Sequence, residues 1–270
     1  MTLLEVDSLS ITTTNGTRLV DSASFRLDRG EALGIVGESG SGKSLSCRAV
    51  LGIVSEALTV DAVGIRFDGI DLMHATTATW RGIRGTKIGA VFQDPGAYLN
   101  PSIPVGRQLA EVHRVKRGLS RHDARAVAVQ GLGELGLVAP ERVATRLPRE
   151  LSGGMLQRVM IAIAIAESPD LLIADEPTTA LDVTVQAEVL DVLDDLRTTR
   201  GVAILFVSHD LPVVARVCDQ ILVMRHGRIV EHGTATAVLG DPNDSYTRSL
   251  LADHAEYSLD RFVVPEVAHV

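Results

Sequence analysis

Residues 37–44 read Gly-Glu-Ser-Gly-Ser-Gly-Lys-Ser and match the pattern G-x-x-x-x-G-K-[ST] in full. The apolar run Ala32–Val36 precedes them and predicts a strand buried on both faces, and a helical pattern follows from about 43 to 54. Glycines let a loop in this position curl so that successive N–H groups point at phosphate oxygens, and the start of the next helix adds partial positive charge. The stretch therefore predicts a phosphate-binding loop (P-loop).

Two side chains of this loop have chemistry that suits a nucleotide. Lys43 can bridge the β- and γ-phosphates, and the Ser44 hydroxyl can ligate Mg²⁺. A Gly/Ser-rich surface turn is the alternative interpretation, which the flanking strand and helix disfavour. The residues that we expect to contact the nucleotide here are Gly37, Glu38, Ser39, Gly40, Ser41, Gly42, Lys43, Ser44, Leu45 and Ser46.

A second apolar run ends in two carboxylates, at residues 170–177, Asp-Leu-Leu-Ile-Ala-Asp-Glu-Pro. Asp175, at the end of the predicted strand, can hold Mg²⁺ directly or through water. Glu176 points to the opposite side, where it can polarise a water for attack on the γ-phosphate. Adjacent acids after a strand often form only a solvated loop, so this interpretation depends on the phosphate-binding loop in the same chain.

The third motif is Leu-Ser-Gly-Gly-Met at residues 151–155, where a loop meets a predicted helix. Ser152 as a helix N-cap, with glycines making the turn, would account for it structurally. A hydroxyl and glycine amides at the start of a helix also form a good anion site.

The rest of the chain predicts an α/β fold. The middle, from about 105 to 147, has a helical pattern that continues over 151–165, and the last third alternates strands and helices. This alternation implies a mostly parallel sheet with helices on both faces. The elements predicted after the third motif are a strand at 170–174, a helix at 183–200, a strand at 202–207, a helix at 211–217 and a hairpin that turns at 226–227.

The three motifs, in this order, resemble the ATP-binding cassette (ABC) family over residues from about 3 to 252. The resemblance implies an ATPase that binds ATP and Mg²⁺. It also implies a P-loop NTPase core with a mostly parallel sheet, an N-terminal antiparallel β subdomain and an inserted α-helical subdomain. On this basis residues 1–252 form one cassette, with the helical subdomain at about 97–165 inserted in a RecA-like core, and residues 253–270 form a C-terminal tail.

The resemblance also gives roles to matching positions. Gln93, in Phe-Gln-Asp-Pro at 92–95, resembles the Q-loop glutamine that reaches Mg²⁺ and the attacking water. Residues 180–182, Ala-Leu-Asp, resemble the D-loop, and His209 resembles the switch histidine that contacts the γ-phosphate. The implied catalytic residues are Glu176, His209 and Gln93, and the implied metal ligands are Ser44, Gln93 and Asp175. Further nucleotide contacts are implied for Leu151, Ser152, Gly153, Gly154, Met155 and Asp182.

Two cassettes of this family dimerise head to tail, with each ATP between the P-loop of one subunit and the Leu-Ser-Gly-Gly segment of the other. One P-loop face leaves the γ-phosphate open to solvent, and a second anion-binding helix end can cover it. The site would then be complete only when nucleotide is bound, and hydrolysis would loosen the dimer.

A narrower resemblance is to the peptide/nickel importer ATPases. It depends on residues 92–101, on residues 150–155, on the stretch 175–186, and on Asp-Pro at 241–242 followed by Tyr-Thr at 246–247. It implies uptake of peptides, nickel or metal chelates by a complex with two integral-membrane permease subunits, served by an extracytoplasmic solute-binding protein. The second ATPase subunit would be a different chain. This chain would be peripheral, on the cytoplasmic face of the cell membrane, and would bind the permeases through about 94–147.

Composition limits the other classes of function. The formal net charge of −8 and the aromatic content of 3% argue against a dedicated DNA-binding protein and a stacking-based module, so we expect no nucleic-acid partner. Basic residues within the helical pattern of 105–147 are better explained as a solvated face. The longest apolar run, 159–166, is far shorter than the roughly 20 residues that span a membrane, and no secretion signal is visible.

Two alternatives remain within the ABC family. A soluble ABC ATPase that acts on DNA or ribosomes is disfavoured, because neither a second cassette nor a long coiled-coil insertion is visible. An export cassette is disfavoured by residues 92–101. The chain departs from many cassettes in having no aromatic residue before Phe25 to stack on adenine, so the base would rest on Arg18, on an aliphatic side chain or loosely.

Overall fold

The computed structural model describes residues 1–179 and 181–260, with residues 253–260 described by their backbone alone. Ala180 of the predicted D-loop and residues 261–270 of the predicted tail lie outside the described residues. The strands are β1 Thr2–Thr13, β2 Arg18–Asp28, β3 Ala32–Val36, β4 Leu58–Asp61, β5 Gly64–Phe67, β6 Ile70–Asp71, β7 Ile88–Val91, β8 Leu171–Asp175, β9 Ala203–Ser208, β10 Gln220–Arg225 and β11 Arg228–Thr234. The helices are α1 Lys43–Val50, α2 Thr77–Ile83, α3 Pro95–Tyr98, α4 Val105–Arg117, α5 Arg121–Glu134, α6 Pro140–Val143, α7 Gly153–Ile165, α8 Val183–Arg200, α9 Leu211–Val217, α10 Ala235–Gly240 and α11 Ser245–Asp260, with a 3₁₀ turn at Pro148–Glu150.

The N-terminal sheet is antiparallel and is organised around β1, which pairs with β2, β4 and β5. Leu4 and Val6 of β1 are buried, and so are Leu9 and Ile11. In a regular strand the even-numbered pair and the odd-numbered pair would point to opposite faces. A register shift between Val6 and Leu9, with Ser8 at φ 55°, inserts the extra residue that returns both pairs to the buried face. The predicted antiparallel β subdomain is confirmed.

The second sheet has the strand order β11-β10-β3-β9-β8-β7, in which β11 alone is antiparallel to its neighbour. Every residue of β3, β8 and β9 is buried, because α7, α8 and α9 cover one face of these strands, and α1 and the N-terminal antiparallel sheet cover the other. This explains why these strands read as continuous apolar runs. The predicted α/β fold with a mostly parallel sheet is thus confirmed.

Helices α4 to α7 lie between β7 and β8 in the chain, and α4 packs against both α5 and α7. Several of their basic side chains are bound within the molecule: Arg117 pairs with Glu167, and Lys116 donates to the carbonyls of Arg81 and Arg84. The bounds of about 97–165 for a helical subdomain stay a prediction.

Two helix limits differ from the sequence-based expectation. Helix α1 ends at Val50 rather than near 54, because Gly52 takes φ 60° and breaks the helical path. Helix α7 begins at Gly153 rather than at 151, with Ser152 as its N-cap. Among the residues that the structure describes, no helix is long and apolar enough to cross a membrane.

Candidate functional site

The predicted motifs meet at one edge of the parallel sheet, where β3, β8 and β9 end. Val36 is paired with Ser208, and Asp175 is paired with Val207, so the three strands end at the same level. The P-loop follows β3, Glu176 follows β8 and His209 follows β9. Ligand sites of parallel sheets lie at this carboxyl edge because the connecting loops converge there.

The P-loop packs closely against the hairpin of β10 and β11. A Cβ on Gly37 would lie 2.1 Å from the carbonyl oxygen of Met224, and Gly37 has φ 155°, so only glycine fits. The N–H of Gly227, in the hairpin turn, donates to the carbonyl of Ser41 at 3.1 Å. The hairpin therefore packs against the P-loop and stabilises its conformation.

Lys43 extends back across its own loop. Its ammonium donates to the carbonyl oxygens of Gly37 at 2.6 Å and Glu38 at 2.8 Å, and the residue is only 4% exposed. Burial lowers the pKa of Lys43, and the carboxylates of Glu176, Asp175 and Glu38 partly oppose this. The loop thus concentrates positive charge where phosphates would bind.

Ser44 and Asp175 are joined directly. The Ser44 hydroxyl donates to Oδ1 of Asp175 at 2.7 Å, from the first turn of α1 to the end of β8. Burial raises the pKa of Asp175, and the Ser44 hydrogen bond partly offsets that rise. A hydroxyl and a carboxylate side by side are oxygen donors of the kind that Mg²⁺ takes together with phosphate oxygens and water.

The Ser44–Asp175 pair suits Mg²⁺, which needs few protein ligands, better than it suits a metal ion whose ligands all come from protein side chains. Among the described residues, no group of three or more His, Cys, Asp or Glu could hold a metal ion. Phosphate oxygens and waters would therefore have to supply the remaining ligands, as is usual for this ion.

Glu176 and His209 form a second pair. Oε2 of Glu176 accepts the Thr179 hydroxyl at 2.8 Å and lies 3.5 Å from Nδ1 of His209. Glu176 has φ 50°, and its N–H donates to the carbonyl of Val207 at 2.9 Å. A left-handed backbone conformation at a residue that carries a Cβ is strained, and such strain is common at functional sites. The two adjacent carboxylates thus point to different partners, Asp175 to Ser44 and Glu176 to His209.

Gln93 lies apart from these contacts. It is exposed, two residues beyond the end of β7, and β7 is the neighbour of the carboxylate-bearing β8. Because β7 and β8 are parallel, Gln93 follows β7 at the same edge of the sheet at which Glu176 follows β8. No hydrogen bond or ion pair between described residues joins Gln93 to Glu176 or His209.

The Leu-Ser-Gly-Gly segment contacts the D-loop side of its own chain. The Ser152 hydroxyl caps α7 by accepting the N–H of Met155 at 3.3 Å, and Asp182 caps α8 by accepting the N–H of Val185 at 2.9 Å. A Cβ on Gly154 would lie 2.1 Å from Cγ1 of Val185. No hydrogen bond between described residues joins this segment to residues 37–46.

Sequence reasoning missed two side chains that contact the site. Thr179 holds the carboxylate of Glu176, and the hydroxyl of Tyr246 accepts the N–H of Glu38 at 2.9 Å. Both lie in stretches that carried the narrower resemblance. Arg18, considered for adenine, is bound to Asp21 at 2.6 Å, and Asp21 also holds Arg228.

Comparisons with known proteins find one matching family, similar sequences and similar solved structures. The family model described as "ABC transporter" matches residues 20–179. The oligopeptide transport ATP-binding protein OppD of Bacillus subtilis (strain 168) is 44% identical over 254 residues, which are 93% of this chain and 71% of that protein. The metal-staphylopine import system ATP-binding protein CntD of Staphylococcus aureus (strain Mu50) is 41% identical over 253 residues, 93% of each chain. A solved ATP-binding cassette, a dimer in a post-hydrolysis state bound to ADP and Pi, matches with a TM-score of 0.76 and 26% identity, covering 86% of this chain and 99% of that one.

Proposed function

Because this chain belongs to the ABC transporter family, we propose that it is the ATP-hydrolysing subunit of an importer for peptides or metal chelates. The observation that carries the proposal is the meeting of the P-loop lysine, the Ser44–Asp175 pair and the Glu176–His209 pair at one edge of the sheet. The similar proteins named for oligopeptide transport and metal-staphylopine import support the solute class. Neither relative supports the alternative of a cassette that acts on DNA or ribosomes.

ATP binding begins at the P-loop. The loop amides and the N-terminus of α1 bind phosphate oxygens, and Lys43 keeps one N–H of its ammonium on the Gly37 carbonyl while the others donate to the β- and γ-phosphates. Ser44 and Asp175 would hold Mg²⁺ through the two oxygens that are hydrogen-bonded to each other in this structure. When bound, the ion would neutralise charge on the phosphate oxygens.

Hydrolysis depends on the second pair. Glu176 orients a water and takes up its proton, and the Thr179 hydroxyl fixes the rotamer of this carboxylate. His209, beside the same oxygen, contacts the γ-phosphate. Gln93 completes the site by moving inward from its exposed position after β7. The contacts of Glu176 with Thr179 and His209 support the first two of these roles, and the role of Gln93 follows the family pattern alone.

A second cassette closes the site. Ser152 and Gly153 are exposed at the start of a 13-residue helix, so their anion-binding end is available to a nucleotide on another subunit. The similar cassette solved as a dimer supports this arrangement. We propose a head-to-tail pair in which the partner is a different ATPase chain, with Asp182 near the shared interface.

The permeases bind at the helical side of the molecule, within about 94–147. Tyr98 is 53% exposed and stacks on Phe92, with ring centroids 4.9 Å apart. A cavity of about 550 Å³ between α4, α5 and residues 144–145 is lined by four arginines and one glutamate, Glu111, which pairs with Arg114, so its net positive lining suits acidic side chains of a permease loop. The arginines that line it are Arg107, Arg114, Arg121 and Arg125. Docking there places the chain on the cytoplasmic face of the membrane, below an extracytoplasmic solute-binding protein.

The test of this function is isolation of the complex. We expect affinity purification of this chain from solubilised membranes to recover two permeases and a second ATPase. In liposomes, that complex should hydrolyse ATP faster when its solute-binding protein carries an oligopeptide or a metal chelate. Purification with ribosomes or DNA, or an ATPase rate indifferent to every loaded binding protein, would contradict the proposal.

Replacing Ser44 by Ala should lower the activation of ATP hydrolysis by Mg²⁺ and should affect nucleotide binding less. The substitution removes the hydroxyl of the Ser44–Asp175 pair that would hold the ion, so we expect about a 10- to 100-fold lower hydrolysis rate at limiting Mg²⁺. Titration of activity with Mg²⁺ at saturating ATP measures this effect. Ser249→Ala, which removes a hydroxyl bound only within α11, is the matched control. An unchanged Mg²⁺ titration would remove Ser44 from the metal site.

A further inference from the structure

One peptide unit of the P-loop is held from both sides. The carbonyl of Gly37 accepts the Lys43 ammonium at 2.6 Å, and the N–H of Glu38 donates to the hydroxyl of Tyr246 at 2.9 Å. This C=O and this N–H belong to the same peptide unit, and in a trans peptide they point in opposite directions. Lys43 and Tyr246 therefore fix one peptide plane between them.

Tyr246 is itself held firmly in this position. It is 5% exposed, and the guanidinium of Arg225 lies 4.7 Å from the centre of its ring. Its backbone N–H donates to Oδ1 of Asp244 at 2.7 Å, which starts the helix α11. Burial raises the pKa of Tyr246, so the hydroxyl stays protonated at neutral pH and acts as a neutral partner for the peptide.

A buried carboxylate on β11 fixes the segment that presents Tyr246. Glu231 accepts the N–H of Asn243 at 2.7 Å and the N–H of Asp244 at 3.3 Å. Arg248, one turn into α11, donates to the carbonyls of Pro242 and Asn243. The Asp-Pro and Tyr-Thr motif of the sequence thus forms a turn that is anchored to the sheet and carries a hydroxyl to the P-loop.

The structure assigns Tyr246 as a positioning residue for nucleotide binding, which acts by orienting the Gly37–Glu38 peptide toward Lys43. The inference rests on the proposed function, because Lys43 acts on nucleotide only if the P-loop does. Gly37 has no side chain to resist rotation of this peptide, so an external partner is needed to keep its carbonyl facing inward. Without the Tyr246 hydroxyl, the Gly37 carbonyl is free to rotate away from Lys43. The Lys43 ammonium is then no longer oriented for the phosphates in the nucleotide-free protein.

Tyr246→Phe in the full chain tests this role. The substitution keeps the ring and removes one hydrogen bond to a buried peptide, so we expect about a 3- to 10-fold higher KM for MgATP and Kd for MgADP. The maximal rate kcat should change by less than about twofold, since Glu176 and His209 are untouched. Ser249→Ala, on the same helix, should change neither constant.

A double-mutant cycle separates positioning of Lys43 from general loosening of the loop. We expect Tyr246→Phe to raise the Kd by less than about twofold when Lys43 is already Ala, because the peptide then has no ammonium to orient. Glu231→Gln, which weakens the anchor of residues 243–244, should raise the KM in the same direction and add little to Tyr246→Phe.

Two results would overturn the inference while leaving the proposed function intact. One is an unchanged KM and Kd in a folded Tyr246→Phe protein that shows the wild-type melting temperature. The other is a full effect of Tyr246→Phe in the Lys43→Ala background. The proposed function fails separately, and visibly, if Lys43→Ala alone leaves MgATP binding unchanged.

Discussion

Replacing Glu176 by Gln should leave ATP binding nearly unchanged and reduce hydrolysis by roughly 10²- to 10⁴-fold. The amide has the size of the carboxylate and can still contact the Thr179 hydroxyl, so the local fold is kept. It cannot take up a proton from water, and it lacks the charge that orients the water. We therefore expect ATP to accumulate on the protein and, with the partner cassette present, to hold the dimer together.

Single-turnover hydrolysis and equilibrium binding of MgATP together measure this effect. Glu56→Gln is a matched control, because Glu56 is an exposed carboxylate away from the P-loop edge of the sheet. Turnover close to that of the unmodified chain would remove Glu176 from its proposed role. Loss of ATP binding instead would show that the residue at φ 50° is chiefly structural.

Replacing Lys43 by Ala should raise the Kd for MgATP by about 10- to 100-fold, since a charge-assisted hydrogen bond contributes about 1.5–3 kcal/mol. The ammonium is nearly buried and is held by two loop carbonyls, so it meets the phosphates with little loss of side-chain freedom. Its removal also leaves the carbonyls of Gly37 and Glu38 without that donor. We expect a smaller fall in melting temperature for that reason.

Calorimetry with MgATP measures the binding effect directly. Lys87→Ala is the control, because Lys87 is a half-exposed lysine whose ammonium lies near Asp68, outside the P-loop. An unchanged affinity in a folded Lys43→Ala protein would refute the assignment of residues 37–46 to phosphate binding.

Much of the fold was predictable because its central strands are short, apolar up to their last residue and bounded by clear loop signals. The predicted helices at 183–200 and 211–217 have the same bounds in the structure, since Asp182 and Asp210 are strong N-caps. Helices α2 and α3 were missed because they are short and have too few turns for a periodicity to show. Helix α11 was missed because the signals near the C-terminus are weak.

The site was predictable in its motifs and less so in its contacts. Local patterns identified the P-loop and the two carboxylates, and the parallel sheet then explains why Ser44 meets Asp175. The contact of Tyr246 with Glu38 joins positions 208 residues apart in the chain, and no local pattern encodes such a pair. Long-range support of this kind is visible only once the hairpin and α11 are folded against the loop.

The strand order has a mechanical consequence. β9 lies between β3 and β8, so the strand that leads into the P-loop and the strand that ends in Asp175 are two hydrogen-bonded strand spacings apart, roughly 10 Å. That spacing cannot change without breaking backbone hydrogen bonds among β3, β9 and β8, whose residues are all buried, and buried core strands open at free energies close to that of global unfolding. Any conformational change driven by ATP must therefore occur in the surrounding loops and helices, while the distances between these strands stay constant. We expect a conformational change that starts at the bound nucleotide to be transmitted toward the membrane only by segments of the chain outside this sheet.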